Sequence, residues 1–338
     1  MSRVKLPFTP EFEVEFCDRV RGIKQVIEWG ERSTRFPIVV FGPEGCGKTA
    51  WLTQSIEVLK ELKFEVIYFN PLRRKFEVEV GIEDVRRRAL DILRKATSEY
   101  ELVRFIWLVI DFAVDTLKYG RGRLAVIIDD AFQLLGVREA TAIIKGLLEL
   151  IEYPPRKYEK IVAITATSEG LSRREIGRHL WAWLMPMWNM SKEGFEELYD
   201  KLPGSKPSFE DIWFLTGGNP RLLSLLYQVG WSVDVVVSKL LKEKEITPTF
   251  ISRWRKWLEL AVEDPDNLWS PEAPEELINE LEGKNLIIYN MYGRDYVFWI
   301  DEPPPEKDSE LGIGKYVAWQ TPIHKEAVKK VIKEMTSH

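Results

Sequence analysis

The chain has 338 residues, which is enough for two or three domains that each bury a core. Its net charge of −5 at pH 7 excludes attraction of nucleic acid by overall charge, so contact with DNA would need a local cluster of Lys and Arg. The two cysteines exclude a disulfide framework and fit a reducing, cytoplasmic setting. The most apolar stretch, residues 102–117, is interrupted by charged side chains, so we expect no membrane span.

A short apolar run at residues 36–41 predicts a buried strand, and a glycine-rich loop follows it directly. This loop, residues 42–49, reads Gly-Pro-Glu-Gly-Cys-Gly-Lys-Thr, the phosphate-binding pattern G-x-x-x-x-G-K-[ST]. Glycine allows backbone conformations that point successive N–H groups inward. A helix predicted from Thr49 to Leu62 adds the positive end of its dipole. We therefore expect this turn to bind the phosphates of a nucleotide.

The loop residues have separate expected roles in binding ATP or ADP. Lys48 is expected to reach the β- and γ-phosphates, and the Thr49 hydroxyl is expected to bind Mg²⁺. Packing is the favoured explanation of the small Cys46, and a redox-active thiol is the alternative. The residues predicted to line the nucleotide are Pro43, Glu44, Gly45, Cys46, Gly47, Lys48, Thr49 and Ala50.

Beyond the loop, short β-rich runs alternate with helical patterns, which predicts a parallel sheet covered by helices. The predicted strands are residues 38–41, 64–70, 124–129, 161–166 and 181–187. Two helices are predicted between the second and third strands, at residues 83–98 and 102–118.

The third predicted strand is apolar and ends in two acids, which is the form of a Walker B motif. Asp129 is expected to hold Mg²⁺, and Asp130 lies where related ATPases place a catalytic Glu. The alternatives are that Asp129 only ends a buried strand and that Asp130 caps a helix. Because Asp is one methylene shorter than Glu, we expect slow hydrolysis.

Two later segments carry polar side chains that could reach the phosphates. Thr167 follows the fourth strand, where a hydroxyl can sense the γ-phosphate or fix the attacking water; alternatively, it only caps the next turn. Residues 217–221 begin a helix with Gly-Gly-Asn-Pro-Arg. On spacing alone, Gly and Pro mark only the start of that helix, and Arg221 is expected to lie in solvent.

After residue 191 the sequence turns helical, with helices predicted at residues 192–202, 208–215, 220–228, 233–244 and 248–261. The Pro- and acid-rich stretch 263–274 is interpreted as a linker. A helix at 275–282 and two alternating runs, 286–290 and 296–300, have the outline of a winged helix. A further strand-like segment and a basic helix at 324–334 end the chain. We predict three domains: a nucleotide-binding domain at 1–190, a helical lid at 191–268 and a winged helix at 269–338.

At this point the chain resembles the archaeal ATPase family over nearly its whole length. The segments that carry the resemblance, in order, are residues 16–19, 42–49, 129–133, 167–168, 177–178, 217–221 and 319–322. This family belongs to the STAND branch of signalling ATPases and is similar to the AAA+ proteins of archaeal origin recognition. The resemblance implies an α/β P-loop NTPase fold with a parallel sheet of order 5-1-4-3-2, a helical lid and a C-terminal winged helix.

The resemblance also implies roles for single residues. Arg19 would lie near the adenine and Pro220 would close over it, while Arg221 would be a sensor-2-like contact. Arg178 would contact a phosphate, in its own subunit or in a neighbouring one. The chain departs from the family at two places: the second Walker B acid is Asp instead of Glu, and Gly22 stands where the family has a Glu.

The charge of the predicted winged helix bears on the kind of partner. Its presumed recognition helix, residues 275–282, is acidic and would be repelled by DNA phosphates. Basic clusters at 73–75, 86–88 and 253–257 are explained as solvated faces, although Trp254 and Trp257 could stack on bases. We favour a slowly hydrolysing, nucleotide-dependent switch that engages a protein, alone or as an oligomer. The alternatives are a DNA-binding ATPase of the origin-recognition type and a scaffold with negligible turnover.

Overall fold

The computed structural model describes residues 2–73, 75–79, 99–119, 122–130, 132, 137–154, 157–167 and 176–336. The chain forms two compact units. Unit 1 consists of the segment that ends at residue 4, residues 20–41 and residues 48–186; unit 2 consists of residues 5–19, 42–47 and those from 187 onward. The boundary therefore crosses the glycine-rich loop between Gly47 and Lys48.

Ten strands and eleven α-helices lie in the described ranges. The strands are β1 (Lys5–Thr9), β2 (Phe12–Glu15), β3 (Ile38–Phe41), β4 (Glu65–Asn70), β5 (Lys75–Glu79), β6 (Arg123–Asp129), β7 (Lys160–Ala166), β8 (Trp183–Pro186), β9 (Ile287–Tyr289) and β10 (Val317–Trp319). The helices are α1 (Val20–Arg32), α2 (Lys48–Glu61), α3 (Glu99–Tyr119), α4 (Val137–Glu152), α5 (Lys192–Asp200), α6 (Phe209–Thr216), α7 (Pro220–Gln228), α8 (Val233–Glu243), α9 (Pro248–Glu263), α10 (Glu275–Gly283) and α11 (Pro322–Thr336). None of these described helices is both long and apolar enough to cross a membrane.

Unit 1 is built on a six-stranded sheet with the order β5-β4-β6-β7-β3-β8. Five of these strands pair in parallel, and they follow the order 5-1-4-3-2 when numbered along the chain. The predicted α/β class and strand order are confirmed. The antiparallel edge strand β5 is an addition to the prediction. The helix predicted at 83–98 lies outside the described residues, and its neighbour is found as α3.

The parallel strands read as continuous apolar runs because helices cover both faces of such a sheet. In β6, Leu124, Val126 and Ile128 are fully buried and belong to one core with Phe105 and Ile106 of α3. Parallel pairing brings the carboxyl ends of the strands to one edge. Side chains that end separate strands are thereby placed together, as in other open α/β sheets.

Unit 2 has a second core, which draws on helices of both the predicted lid and the predicted winged helix. Fully buried members from five helices are Phe195, Leu223, Ile251, Leu277 and Val328. The β1–β2 hairpin also belongs to this unit, and the carbonyl of Phe8 accepts a hydrogen bond from the Ser224 hydroxyl of α7. The division at residues 190 and 268 stays a prediction.

The stretch 263–274, which we interpreted as a linker, is structured. Residues Pro265–Trp269 form a 3₁₀ helix, and Leu268 is fully buried. The Asp266 carboxylate accepts hydrogen bonds from the backbone N–H groups of residues 315–317, at 2.8 to 3.0 Å. The proline and acidic residues of this stretch predicted an exposed linker. The stretch is structured because it binds a segment about 50 positions further along the chain, which a local pattern does not indicate.

The predicted hairpin of runs 286–290 and 296–300 is wrong in its second strand. β9 pairs antiparallel with β10, so that Ile287 lies opposite Trp319. Residues Tyr296–Phe298 instead form a 3₁₀ helix, because the Asp295 side chain accepts from the N–H of Val297 and closes the turn. A helix followed by an antiparallel pair is present in α10, β9 and β10, and the winged helix itself stays a prediction.

The first turn of α11 contains a buried histidine, His324, whose Nδ1 lies 2.6 Å from the hydroxyl of Thr321. Burial lowers the pKa of His324 from 6.5 to about 4; the nearby Lys244 acts in the same direction and Glu44 opposes it. The unfolded chain therefore takes up a proton at this site at a higher pH than the folded one does.

We predict that the stability contributed by neutral His324 is fully present above pH 6.5 and is lost as the pH falls through about 4. The loss should approach about 3 kcal/mol at the acidic end. His324→Gln should unfold in urea with a flatter pH dependence than the wild type between these values. His179→Gln, at a partly exposed histidine, is the matched control and should keep the wild-type slope. Equal slopes for all three proteins would contradict the prediction.

Candidate functional site

The glycine-rich loop leads from β3 into α2 and requires glycine on steric grounds. Gly45 has a φ of 80°, and a Cβ added there would lie 2.3 Å from the Cβ of Arg221. A Cβ on Gly42 would lie 2.0 Å from the carbonyl oxygen of Met187. Only glycine lets the backbone pass this closely. The part of the loop in unit 2 is thus packed tightly against residues of the same unit.

Four backbone groups on the outer side of the loop have protein partners. The N–H of Glu44 donates to Oε1 of Gln320 at 2.9 Å, and the carbonyl of Glu44 accepts from Nδ2 of Asn219 at 2.9 Å. The Gly45 carbonyl accepts from the backbone N–H of Arg221 at 3.4 Å, and the Cys46 carbonyl accepts from Arg19 Nη2 at 2.8 Å. The outer side of the loop is therefore held from several directions.

In unit 1, the start of α2 carries two of the predicted nucleotide contacts. Lys48 is the first residue of α2 and is buried, and Thr49 is partly exposed. The first N–H groups of a helix have no partner within the helix and lie at the positive end of its dipole. A lysine and a hydroxyl at this position suit a phosphate and its metal ion.

Asp129 ends β6 and is fully buried. Its Oδ2 accepts hydrogen bonds from the Tyr68 hydroxyl and from Nδ2 of Asn70, both at 3.0 Å. Burial and the neighbouring carboxylate raise the pKa of Tyr68, so its hydroxyl stays protonated and able to donate. Oδ1 of Asp129 has no hydrogen-bond partner among the residues that the structure describes. A buried oxygen left this way is costly unless it binds something else.

The donor set fits a magnesium ion. Magnesium is usually held by one or two carboxylates together with phosphate oxygens and water. Within the described ranges, no group of three or more His, Cys, Asp or Glu residues could hold a metal ion alone. One oriented carboxylate, Asp129, and one hydroxyl, Thr49, are what a nucleotide-bound magnesium needs from the protein.

Asp130 has an unusual backbone conformation and a raised pKa. Its φ is 53°, a left-handed conformation unlike the extended one of a helix N-cap, and its N–H donates to the carbonyl of Ala166 at 3.0 Å. Burial raises the pKa of Asp130 to about 6, and the charge of Asp129 adds to the rise. The charges of Lys48 and Arg73 and a hydrogen bond from Asn70 oppose it. The carboxyl group therefore titrates near the physiological range.

The structure brings most of the predicted catalytic residues of unit 1 to one edge of the sheet. Asp129 is aligned with Ala166 in the β6–β7 pair. Thr167 follows directly, is buried, and donates its N–H to the carbonyl of Val40 in β3 at 2.9 Å. Arg178 is exposed and precedes β8, and its predicted contact with a phosphate stays a prediction.

The predicted nucleotide contacts of unit 2 also lie beside the loop. Pro220 is the first residue of α7, and its Cγ is 3.8 Å from a Cβ built on Gly47. Arg221 is exposed and packs its Cβ against Gly45. The guanidinium of Arg19 is buried and binds protein groups. The assignments of these side chains to base or phosphate stay predictions.

Sequence reasoning missed four residues that hold this site. Tyr68 and Asn70 alternate along the end of β4, so their side chains reach the same face beside Asp129. A polar residue that ends an apolar strand was an available signal for Asn70. Asn219 had a signal as the N-cap residue before a proline, whereas Gln320 had none, because its partner lies 276 positions away along the chain.

A family model described as an ATPase domain predominantly from Archaea matches residues 16–226. A comparison with curated protein sequences gave no match. The chain is similar to the solved structure of the Aeropyrum pernix ORC2 protein in ADPNP–ADP complexes, with 10% identity over 98% of each chain and a TM-score of 0.45. It is also similar to the Aeropyrum pernix ORC1 protein in complex with DNA, with 13% identity over 94% of this chain and 93% of that one, and a TM-score of 0.39.

A third similar structure is AMPPCP-bound DnaA from Aquifex aeolicus, with 18% identity over 77% of this chain and 81% of that one, and a TM-score of 0.38. The family model covers well over half of the chain, from the segment before α1 to the end of α7. The chain belongs to the predominantly archaeal family of ATPase domains.

Proposed function

We propose that this protein binds ATP, hydrolyses it slowly and uses the nucleotide to switch its engagement of a protein partner. The observation that carries the proposal is the buried Asp129, whose Oδ1 lacks a partner among the described residues at the sheet edge from which the glycine-rich loop leaves. A carboxylate held by two donors on one oxygen and left open on the other is suited to a cation. A phosphate-bound magnesium is the cation that fits this neighbourhood.

Binding is assigned to the consecutive residues of the loop and to the start of α2. The loop N–H groups and Lys48 would bind the phosphates, and Thr49 and Asp129 would hold magnesium. When bound, the metal supplies positive charge that offsets the charge developing on the phosphate oxygens. Pro220 and Arg221, which lie beside the loop at the start of α7, would contact the nucleotide.

Hydrolysis is assigned to Asp130. Ionised, this carboxylate can accept a hydrogen bond from water and orient it toward the γ-phosphorus; attack by that water breaks the bond to the bridging oxygen and yields ADP and phosphate. A pKa of about 6 leaves Asp130 mostly ionised at neutral pH yet basic enough to accept a proton. The short side chain limits its reach toward the water, so we expect slow turnover. Thr167 is assigned to holding the same water or the γ-phosphate.

A protein partner is favoured over DNA by how the charges of unit 2 pair. The acidic helix α10 and the basic segment 253–257 lie beside each other, and Arg253 and Glu276 form an ion pair at 2.9 Å. Nε1 of Trp254 donates to Glu280 at 3.0 Å, which ties down a ring that could otherwise stack on bases. The surface expected to read DNA is therefore acidic or internally paired. A free basic patch of the kind that phosphate binding requires is not offered by these residues.

Lys48→Ala is predicted to abolish tight binding of ATP, because it removes the side-chain cation at the start of α2. Calorimetry with Mg²⁺ present measures this directly. Lys60→Ala, on the same helix but paired with Glu57 in a partly exposed position, is the matched control and should bind like the wild type. Wild-type affinity in Lys48→Ala would show that the loop is not the nucleotide site.

The ATPase rate is predicted to rise with pH through about 6, because Asp130 must lose its proton before it can orient water. Asp130→Asn should lower kcat by about a hundredfold or more and change ATP affinity little. Asp130→Glu should raise turnover, since it restores the longer reach. Asp111→Asn, at an exposed carboxylate of α3, is the control and should keep the wild-type rate. Equal losses of binding and rate in Asp130→Asn would indicate a structural role instead.

The choice between a protein and a DNA partner is tested by the ATPase rate with and without single- and double-stranded DNA. At both low and high salt we expect changes of less than about twofold, because the acidic helix repels phosphates. Stimulation that disappears at high salt would favour the DNA-binding alternative. The variant Glu276→Lys with Glu280→Lys reverses the charge of α10 and should acquire salt-dependent DNA binding.

A further inference from the structure

The carbonyl groups on the outer side of the glycine-rich loop need hydrogen-bond donors that a bound nucleotide does not supply. A backbone segment that turns successive N–H groups toward an anion turns its carbonyl groups away from it. Cys46 is fully buried, so its outward carbonyl needs a protein donor in place of water, and the Glu44 carbonyl is held by the buried side chain of Asn219. The donors come from segments that are far from the loop in sequence.

We infer that Arg19, Asn219 and Gln320 are positioning residues of the nucleotide site, which hold the outer polar groups of the loop and thereby fix the direction of its inner N–H groups. This inference rests on the proposed binding of ATP. It assigns the three side chains an action on the nucleotide through the loop.

Asn219 is the centre of this arrangement. Its Nδ2 donates to the Glu44 carbonyl and to Oδ1 of Asn189, both at 2.9 Å. Its Oδ1 accepts from the N–H groups of Arg221 and Leu222, both at 3.1 Å, and so caps α7. These contacts use two donors and two acceptor sites, which is the full capacity of an amide side chain. The cap requires oxygen toward α7, so the nitrogen must face the loop.

Gln320 holds the same loop residue from the other side. The side-chain Oε1 of Gln320 accepts a hydrogen bond from the Glu44 N–H, and the backbone carbonyl of Gln320 accepts one from Nδ2 of Asn189 at 3.0 Å. Glu44, Asn219, Asn189 and Gln320 therefore form a closed circuit of hydrogen bonds. Both backbone polar groups of Glu44 are engaged by side chains, so the peptide group on each side of Glu44 cannot rotate without breaking a hydrogen bond.

Arg19 holds the loop two residues further on, at Cys46. Its Nη2 donates to the carbonyls of Cys46 and Trp188, at 2.8 and 2.7 Å. Its Nη1 donates to the Asn189 carbonyl at 3.3 Å and lies 3.4 Å from the Asp301 carboxylate. The residue is only 3% exposed. A guanidinium enclosed in this way by protein oxygens is suited to fixing a backbone.

The Arg19–Asp301 ion pair lies among residues with strained backbone conformations. Asp18, Arg19 and Asp301 all have φ near 62°, the left-handed region that is unfavourable for residues other than glycine. Asp18 is retained there by hydrogen bonds from the N–H and the hydroxyl of Ser191, both at 3.1 Å. Strain of this kind persists where surrounding contacts over-determine it, and it concentrates at functional sites.

Three variants test the positioning role. Asn219→Asp keeps the oxygen that caps α7. It replaces the Nδ2 donor with an oxygen, which would face the Glu44 carbonyl and Oδ1 of Asn189. Gln320→Met keeps the length of the side chain and removes the acceptor. Arg19→Lys keeps the charge beside Asp301 but cannot bind two carbonyls as a fork does. Each should weaken ATP binding about tenfold, measured by calorimetry on variants shown to be folded by circular dichroism.

Ser208→Ala is the matched control, because it removes the N-cap of α6, which accepts from the N–H of Asp211, without a contact to the loop. It should lose stability but keep wild-type affinity for ATP. Wild-type affinity in the folded variants, with binding lost in Lys48→Ala, would overturn the inference and leave the proposed function standing. If Asn219→Asp does not fold, Gln320→Met and Arg19→Lys decide the question. Failure of the wild type to bind ATP would overturn both.

Discussion

The conformation of one backbone segment is the constraint on which the rest of this structure depends. Glycine-rich residues 42–47 turn closely against Met187 and Arg221, and their outward polar groups are bound by protein side chains. These side chains belong to residues 19, 219 and 320. Segments remote in sequence are therefore brought to one place by the hydrogen-bonding requirements of a few peptide groups.

The neighbouring acids show how environment separates two identical side chains. Asp129 ends β6 and is held by Tyr68 and Asn70 from the adjacent strand, while its Oδ1 has no hydrogen-bond partner among the described residues. Asp130 leaves the strand in a left-handed conformation, and burial beside Asp129 moves its pKa up to about 6. The two carboxyl groups therefore differ in hydrogen bonding and in backbone conformation although they are adjacent in the chain.

Much of the fold was predictable because its signals are local. Apolar runs of the parallel strands, the glycine pattern of the loop and the N-caps of α7 and α9 depend on residues within a few positions of one another. The pairing of β9 with β10 was missed because residues 290–316 separate the two strands along the chain. The structured stretch around Asp266 was also missed. Its hydrogen-bond partners are distant backbone N–H groups, which nearly every residue carries, so no sequence pattern indicates them.

For the site, the sequence by itself determined the phosphate-binding pattern of residues 42–49, the paired acids at 129 and 130, and the strand that presents them. Each of these is a chemical pattern written in consecutive residues. Only the tertiary structure decided that Tyr68 and Asn70 orient Asp129, that burial raises the pKa of Asp130, and that Arg19, Asn219 and Gln320 bind the loop. Those outcomes depend on burial and on contacts across as many as 276 positions, which no local pattern encodes.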